Sequence, residues 1–227
     1  MGKVLRCLCL VALLTTQTAA QANPVSSLVT ELAAKAPHLN PQVLKLALIA
    51  YYNAAKQGYS HSPILTVVDY SQPSFEKRMW VFDLQSNQLL FNTYVAQGKG
   101  TGLVEAQHFS NQAGSRASSI GLYQTGDVYY GHDGYSLHLY GLDQGFNNNA
   151  YKRDIVVHGA AYVSPDFVKS HLRAGLSWGC LAVSERIVKP LINTIKGGTL
   201  IFAYYPESQW LQSSQFLHTT DVKVTNT

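Results

Sequence analysis

The 227-residue sequence predicts a mainly β domain with flanking helices, preceded by an N-terminal helical segment. Three patterns carry that reading. Apolar residues recur at helical spacing up to Gly58. From about residue 63 the period changes to two. Short runs rich in Val, Ile, Leu and Tyr then follow one another, separated by Gly, Asn and Ser turns.

Residues 1–22 read as a secretory signal peptide: Lys3 and Arg6, then an apolar stretch from Cys7 to Leu14, then small residues to Ala22. That stretch is far short of the roughly 20 residues a bilayer-spanning helix needs, so no stable membrane span is expected. The expected location is the periplasm or cell envelope after cleavage. Residues 23–62 form the helical segment. Leu28, Val29, Leu32, Ala33 and Ala36 share one helical face, and Pro37 stops it. Asn40-Pro41 starts a second helix whose inward stripe is Val43, Leu44, Ala47, Leu48 and Tyr51, with Gly58 as its C-cap.

Residues 63–205 form the β domain. Strands are expected at 64–70, 78–83, 88–96, 121–130, 135–142, 153–158 and 199–205. Residues 98–119, rich in Gly, Ser, Gln and Asn, form a long loop, and loops of that length are usually functional or mobile. A short helix starts at Pro165. A second should begin at about Lys189, with Pro190 in its first turn, and end at Gly197-Gly198. The tail, 206–227, should be loosely ordered beyond Trp210.

Composition narrows the function. A 46% hydrophobic fraction supports a real core and excludes collagen-like and highly charged disordered chains. The net charge of +4 is a weak excess, half of it in the leader, so no nucleic-acid partner is expected. Without the leader one cysteine remains, Cys180, so an internal disulfide and a multi-thiolate metal site are both excluded. His132 and His138 lack a third ligand on strand alternation, so no metal is expected, nor is any cofactor. Gly98-Lys99-Gly100-Thr101-Gly102 opens no helix and is a loop, not a dinucleotide motif.

Two segments can carry chemistry: Val156-Val157-His158-Gly159, and Ser177-Trp178-Gly179-Cys180. A cysteine nucleophile needs a thiolate, which a neighbouring imidazole supplies by taking the proton. It also needs donors for the developing oxyanion, and the Gly179 and Cys180 amides are candidates. Spacing alone leaves the bland reading open, with Cys180 a small buried hydrophobe and His158 a structural residue at a strand end.

At these residues the sequence resembles the murein L,D-transpeptidase catalytic domain family, which has the YkuD-like fold. The resemblance also runs through Gly134-Tyr135-Ser136-Leu137, Gly141-Leu142, Asn149-Ala150-Tyr151, Arg153 and Lys196-Gly197-Gly198, over roughly 63–205. It implies a β-sandwich or barrel and a catalytic set of Cys180, His158, Ser177 and Gly179. Gly159, Trp178, Arg153 and Tyr151 would bind substrate. Cys180 would attack a peptidoglycan tetrapeptide stem, release D-alanine and pass the acyl group to an amine. Hydrolysis by water instead would make an L,D-carboxypeptidase, and a dead site would leave a murein-binding protein. Carbapenem β-lactams are expected as inhibitors. The sequence departs from the family at Trp178, where many members have His, and at Leu176 and Leu181, where this branch often has Arg and Pro. A missing cation at 176 bears on how a substrate carboxylate is held. Ser177 either orients His158 or caps the turn.

Overall fold

A computed structural model describes residues 24–218 of the chain. The leader read at 1–22 and the last residues of the tail, 219–227, lie outside it. Two helices come first, α1 (Pro24–Lys35) and α2 (Pro41–Lys56). Asn40 caps α2 by accepting the Gln42 N–H at 2.9 Å, and Pro41 occupies the first turn, where no backbone donor is needed. The stripe read from the sequence, Val43, Leu44, Ala47, Leu48 and Tyr51, is the buried face of α2.

Strands β1 (Ile64–Asp69), β2 (Met79–Asp83) and β3 (Gln88–Thr93) follow, then the two-residue β4 (Gln97–Gly98). After the long loop come β5 (Gly121–Gly131) and β6 (Gly134–Gly141). A 3-10 turn, Tyr151–Arg153, leads into β7 (Val156–Gly159), and α3 (Pro165–His171) into β8 (Leu176–Ser177) and β9 (Leu181–Val183). Helix α4 (Glu185–Ile195), β10 (Leu200–Tyr204) and α5 (Ser208–Ser213) complete the described chain.

Eight strands form one mixed sheet in the order β3-β2-β1-β10-β5-β6-β7-β9, and β4 pairs with β8 alongside it. The first and last strands, β1 and β10, run parallel at its centre. The two ends of the sheet approach each other: the Ala96 N–H, just beyond β3, donates to the Ala182 carbonyl of β9 at 2.9 Å. The sheet therefore nearly closes on itself, which leaves little exposed edge.

Alternation along the central strands sends side chains into two cores. Leu65, Val67, Trp80, Phe82, Leu200 and Phe202 face the helix layer of α1 and α2. Val68, Met79, Val81, Ile201 and Ala203 face inward with Tyr123, Leu137, Leu139, Val157 and the buried side of α4. The central strands are covered on both faces, so they read as continuous apolar runs.

Three expectations are corrected. Helix α4 begins at Glu185, not Lys189, and contains Pro190. Pro190 lies on the exposed face, where the Arg186 carbonyl that loses its intrahelical donor is on the water side. The tail beyond Trp210 is not loose as far as residue 218. Trp210 and Phe216 are fully buried in the helix-side core, and Asn53 of α2 donates to the carbonyls of Phe216 (2.9 Å) and His218 (3.0 Å). Arg153 is not in a strand, because β7 starts only at Val156.

The long loop is fastened rather than free. Arg78, buried, donates to Gln97 Oε1 at 2.8 Å, and Gln97 Nε2 donates to the Gly102 carbonyl at 2.9 Å. Gly98 N–H donates to Ser118 Oγ, and Ser118 N–H to Thr101 Oγ1. These bonds fold the loop back on its own base.

Candidate active site

Strands β7 and β9 run parallel, with His158 opposite Ala182 and Val157 opposite Leu181. Side chains alternate along a strand, so Cys180, two residues before Ala182, falls on the same side as His158. Val157 and Leu181 point the other way, into the inner core. The pairing of two short strands thus puts the Cys180 turn next to the strand that carries His158, with 21 residues between the two in sequence.

The thiol of Cys180 is partly exposed and is the free thiol among the described residues. It donates to the Asp154 carbonyl at 3.4 Å, and the Val156 N–H points at the sulfur. Burial of the sulfur pushes its pKa up to about 11; Asp133 and Asp154 add to this, while the Val156 N–H and Arg153 oppose it. At neutral pH the resting side chain is therefore a thiol. A thiolate has to be made by transfer of its proton.

His158 is buried, and its Nδ1 lies 3.0 Å from the Gly159 carbonyl. A carbonyl only accepts, so Nδ1 carries a proton. In the neutral ring Nε2 then holds the lone pair and is the atom able to take a proton. Gly159 has a packing role here: a Cβ on it would meet Val188 Cγ1 of α4 at 2.9 Å. Its carbonyl holds His158, and substrate contact is not what fixes a glycine at this position.

The turn before Cys180 is built by Ser177. Its buried hydroxyl donates to the Cys180 carbonyl at 2.8 Å and accepts the Gly179 N–H at 3.1 Å. Of the two readings of Ser177, the turn is the one its hydrogen bonds fill. They also correct the oxyanion assignment, since the Gly179 amide is spent inside the turn. Gly179 has φ +122°, and a Cβ would lie 2.7 Å from the Ala117 carbonyl oxygen. The position needs glycine for both conformation and space.

Arg153 is a clamp. Its Nη1 donates to Ser110 O and Ser119 Oγ, both at 2.6 Å, and its Nη2 to Ala117 O at 2.7 Å and Ser115 Oγ at 3.1 Å. These four contacts direct its donors to the loop. Tyr151 stacks on Tyr140 (centroids 4.9 Å, 15° between planes) and leans on His138, which stacks on Tyr129. These rings form a ridge on the outer face of β5 and β6. Trp178 is 70% exposed and carries the Arg116 guanidinium over its ring at 4.6 Å. Gly114, Arg116, Arg153 and Trp178 line a recess of ≈ 290 Å³. No group of three His, Cys, Asp or Glu side chains able to hold a metal occurs among the described residues.

Two residues near the thiol carried no motif in the sequence. Asp154 acts through its backbone carbonyl, which no side-chain pattern reveals. Arg116 sits in a run of small residues, and a lone cation in the Gly114–Ala117 stretch was the available signal.

The sequence pattern of the L,D-transpeptidase catalytic domain family matches residues 35–204. The chain belongs to that family. The match starts inside the helical segment, so α2 falls within the family's span. Among solved structures, the chain is similar to an LD transpeptidase in complex with imipenem (17% identity, TM-score 0.38, 63% of this chain and 59% of that one). It is also similar to an L,D-transpeptidase from Mycobacterium smegmatis (14%, 0.39, 63% and 59%) and to one from Stackebrandtia nassauensis (14%, 0.38, 80% and 90%). The chain spans 59% of the length of the first two of these structures. No curated protein matches it.

Proposed function

We propose that this chain is an exported cell-wall L,D-transpeptidase that acts on peptidoglycan tetrapeptide stems through Cys180. The observation that supports this is the β7–β9 register, in which the residue opposite His158 is Ala182, two positions after the one described free thiol, while the His158 Nδ1 proton is held by the Gly159 carbonyl. His158 Nε2 takes the Cys180 proton as sulfur attacks the carbonyl of the stem's third residue. The tetrahedral oxyanion collapses, the bond to terminal D-alanine breaks, and His158 returns the proton to the leaving amine. The resulting thioester is opened by an amine of a second stem, which loses its proton to His158. The raised thiol pKa fits this order: the thiol keeps its proton until substrate is in place.

The experiment is incubation of mature protein with a tetrapeptide stem, followed by intact-mass and product analysis. Release of D-alanine with tripeptide mass on Cys180, and a cross-linked dimer among the products, is expected. Free tripeptide without dimer would make the activity L,D-carboxypeptidase. Failure of a folded protein to form an adduct with either the stem or a carbapenem would leave murein binding without catalysis.

A further inference from the structure

The family position at which a basic residue often precedes the Ser-x-Gly-Cys segment is here Leu176, yet a cation reaches the site from another direction. Arg116 lies on the long loop, with its guanidinium 4.6 Å above the Trp178 ring. The loop is seated against the cysteine turn. Ser118 Oγ donates to the Gly179 carbonyl at 3.4 Å, and Ala117 O blocks the space where a Cβ of Gly179 would stand. Arg116 itself has φ +55°, a left-handed conformation that costs a non-glycine residue free energy unless its surroundings impose it. The surroundings do so. Arg153 grips Ser115 Oγ on one side of Arg116 and Ala117 O on the other.

The exposed Arg116 side chain has no carboxylate partner among the described ion pairs, and its guanidinium carbon lies over the face of an exposed tryptophan. It borders the ≈ 290 Å³ recess with Arg153 and Trp178, two residues from Cys180. Stacking leaves the edge N–H groups of a guanidinium free, and those are the donors that match a carboxylate in a two-pronged contact.

We propose that Arg116, stacked on Trp178 and held by Arg153 as a positioning residue, recognises a free carboxylate of the substrate beside the bond that Cys180 attacks. The inference rests on the transpeptidase reading for the identity of that substrate. The terminal D-alanine carboxylate and the side-chain carboxylate of a diaminopimelate at the third position present the same chemistry, and selective amidation separates them.

The test measures binding, so that it does not depend on turnover. Full-length mature protein with Cys180→Ala is titrated with a tetrapeptide stem, with its C-terminal amide, and with the side-chain amide. Amidation of the recognised carboxylate should weaken binding about 10- to 100-fold, the range for losing a charge-assisted contact. Arg116→Gln on the same background should weaken the acid by a similar factor and leave the matching amide unchanged. Arg116→Lys should recover only part of the discrimination, because the stacked fork is lost. Arg153→Lys should lower the acid-to-amide ratio without changing the amide affinity. The amide that removes the Arg116 dependence identifies the carboxylate. An Arg116→Gln effect equal for acid and both amides, or none, overturns the proposal. If the coupling is present but wild-type protein never acylates, the transpeptidase reading fails and the carboxylate site stands.

Discussion

In the proposed mechanism Cys180 is the group that has to lose a proton, and His158 offers an acceptor atom already fixed by its Nδ1 contact. The thiol pKa, pushed up to about 11, makes a direct statement about reactivity. With the free enzyme, the alkylation rate by iodoacetamide should rise about tenfold per pH unit from neutral pH and level off only near pH 11. A plateau beginning below pH 7 would instead show a resting thiolate–imidazolium pair. His158→Ala should cut the acylation rate by the stem about 10²–10⁴-fold, the usual loss for a positioned base, with little change in thermal midpoint. His138→Ala removes a ring stacked on Tyr129 and tilted against Tyr151 and should leave acylation within about a few-fold of wild type.

At the scale of elements, the site depends on a turn and a loop more than on the strands that carry its reactive groups. Gly179→Ala places a methyl group against the Ala117 carbonyl and imposes φ +122° on an L residue. The turn should open, at a cost of about 1–3 kcal/mol in urea unfolding, and the acylation rate should fall much more than stability does. The C-terminal segment is also structural. Trp210 packs on Phe202 and Tyr204 of β10 at 5.5 and 6.2 Å between ring centroids. Trp210→Ala should therefore cost about 3–5 kcal/mol, a range set by the cavity a deleted core indole leaves.

Over the whole molecule, α1 and α2 share one core with the sheet. Leu44 and Leu48 of α2, Leu65 and Phe202 of the central strands, and Phe216 near the end of the described chain all belong to it. A helix layer built into the core cannot melt by itself. Leu44→Ala should lower the single unfolding midpoint seen by both far-ultraviolet circular dichroism and tryptophan fluorescence, at about 2–5 kcal/mol. Two separate transitions would show that the helices form an independent unit.

The sequence by itself determined the elements with a strong local signal. The buried stripe of α2 was legible in its spacing, β1, β2 and β10 in short apolar runs, and β6 in its period-two alternation. The His-Gly and Ser-x-Gly-Cys segments stood out because Cys180 is the one cysteine beyond residue 22. Tertiary structure decided what local pattern does not encode. Pro190 stays inside α4 because that face meets water, and the tail as far as residue 218 is held because Trp210 and Phe216 enter the core shared by α2 and β10. Arg153 looked like a ligand as a residue type, but four acceptors from a loop some forty positions away claim its donors. Arg116 had no motif at all and gains its place only when that loop closes on the cysteine turn. Local sequence fixes backbone preference and burial through short-range sterics and periodicity. Which polar groups remain free to act depends on the hydrogen-bond partners that distant segments bring.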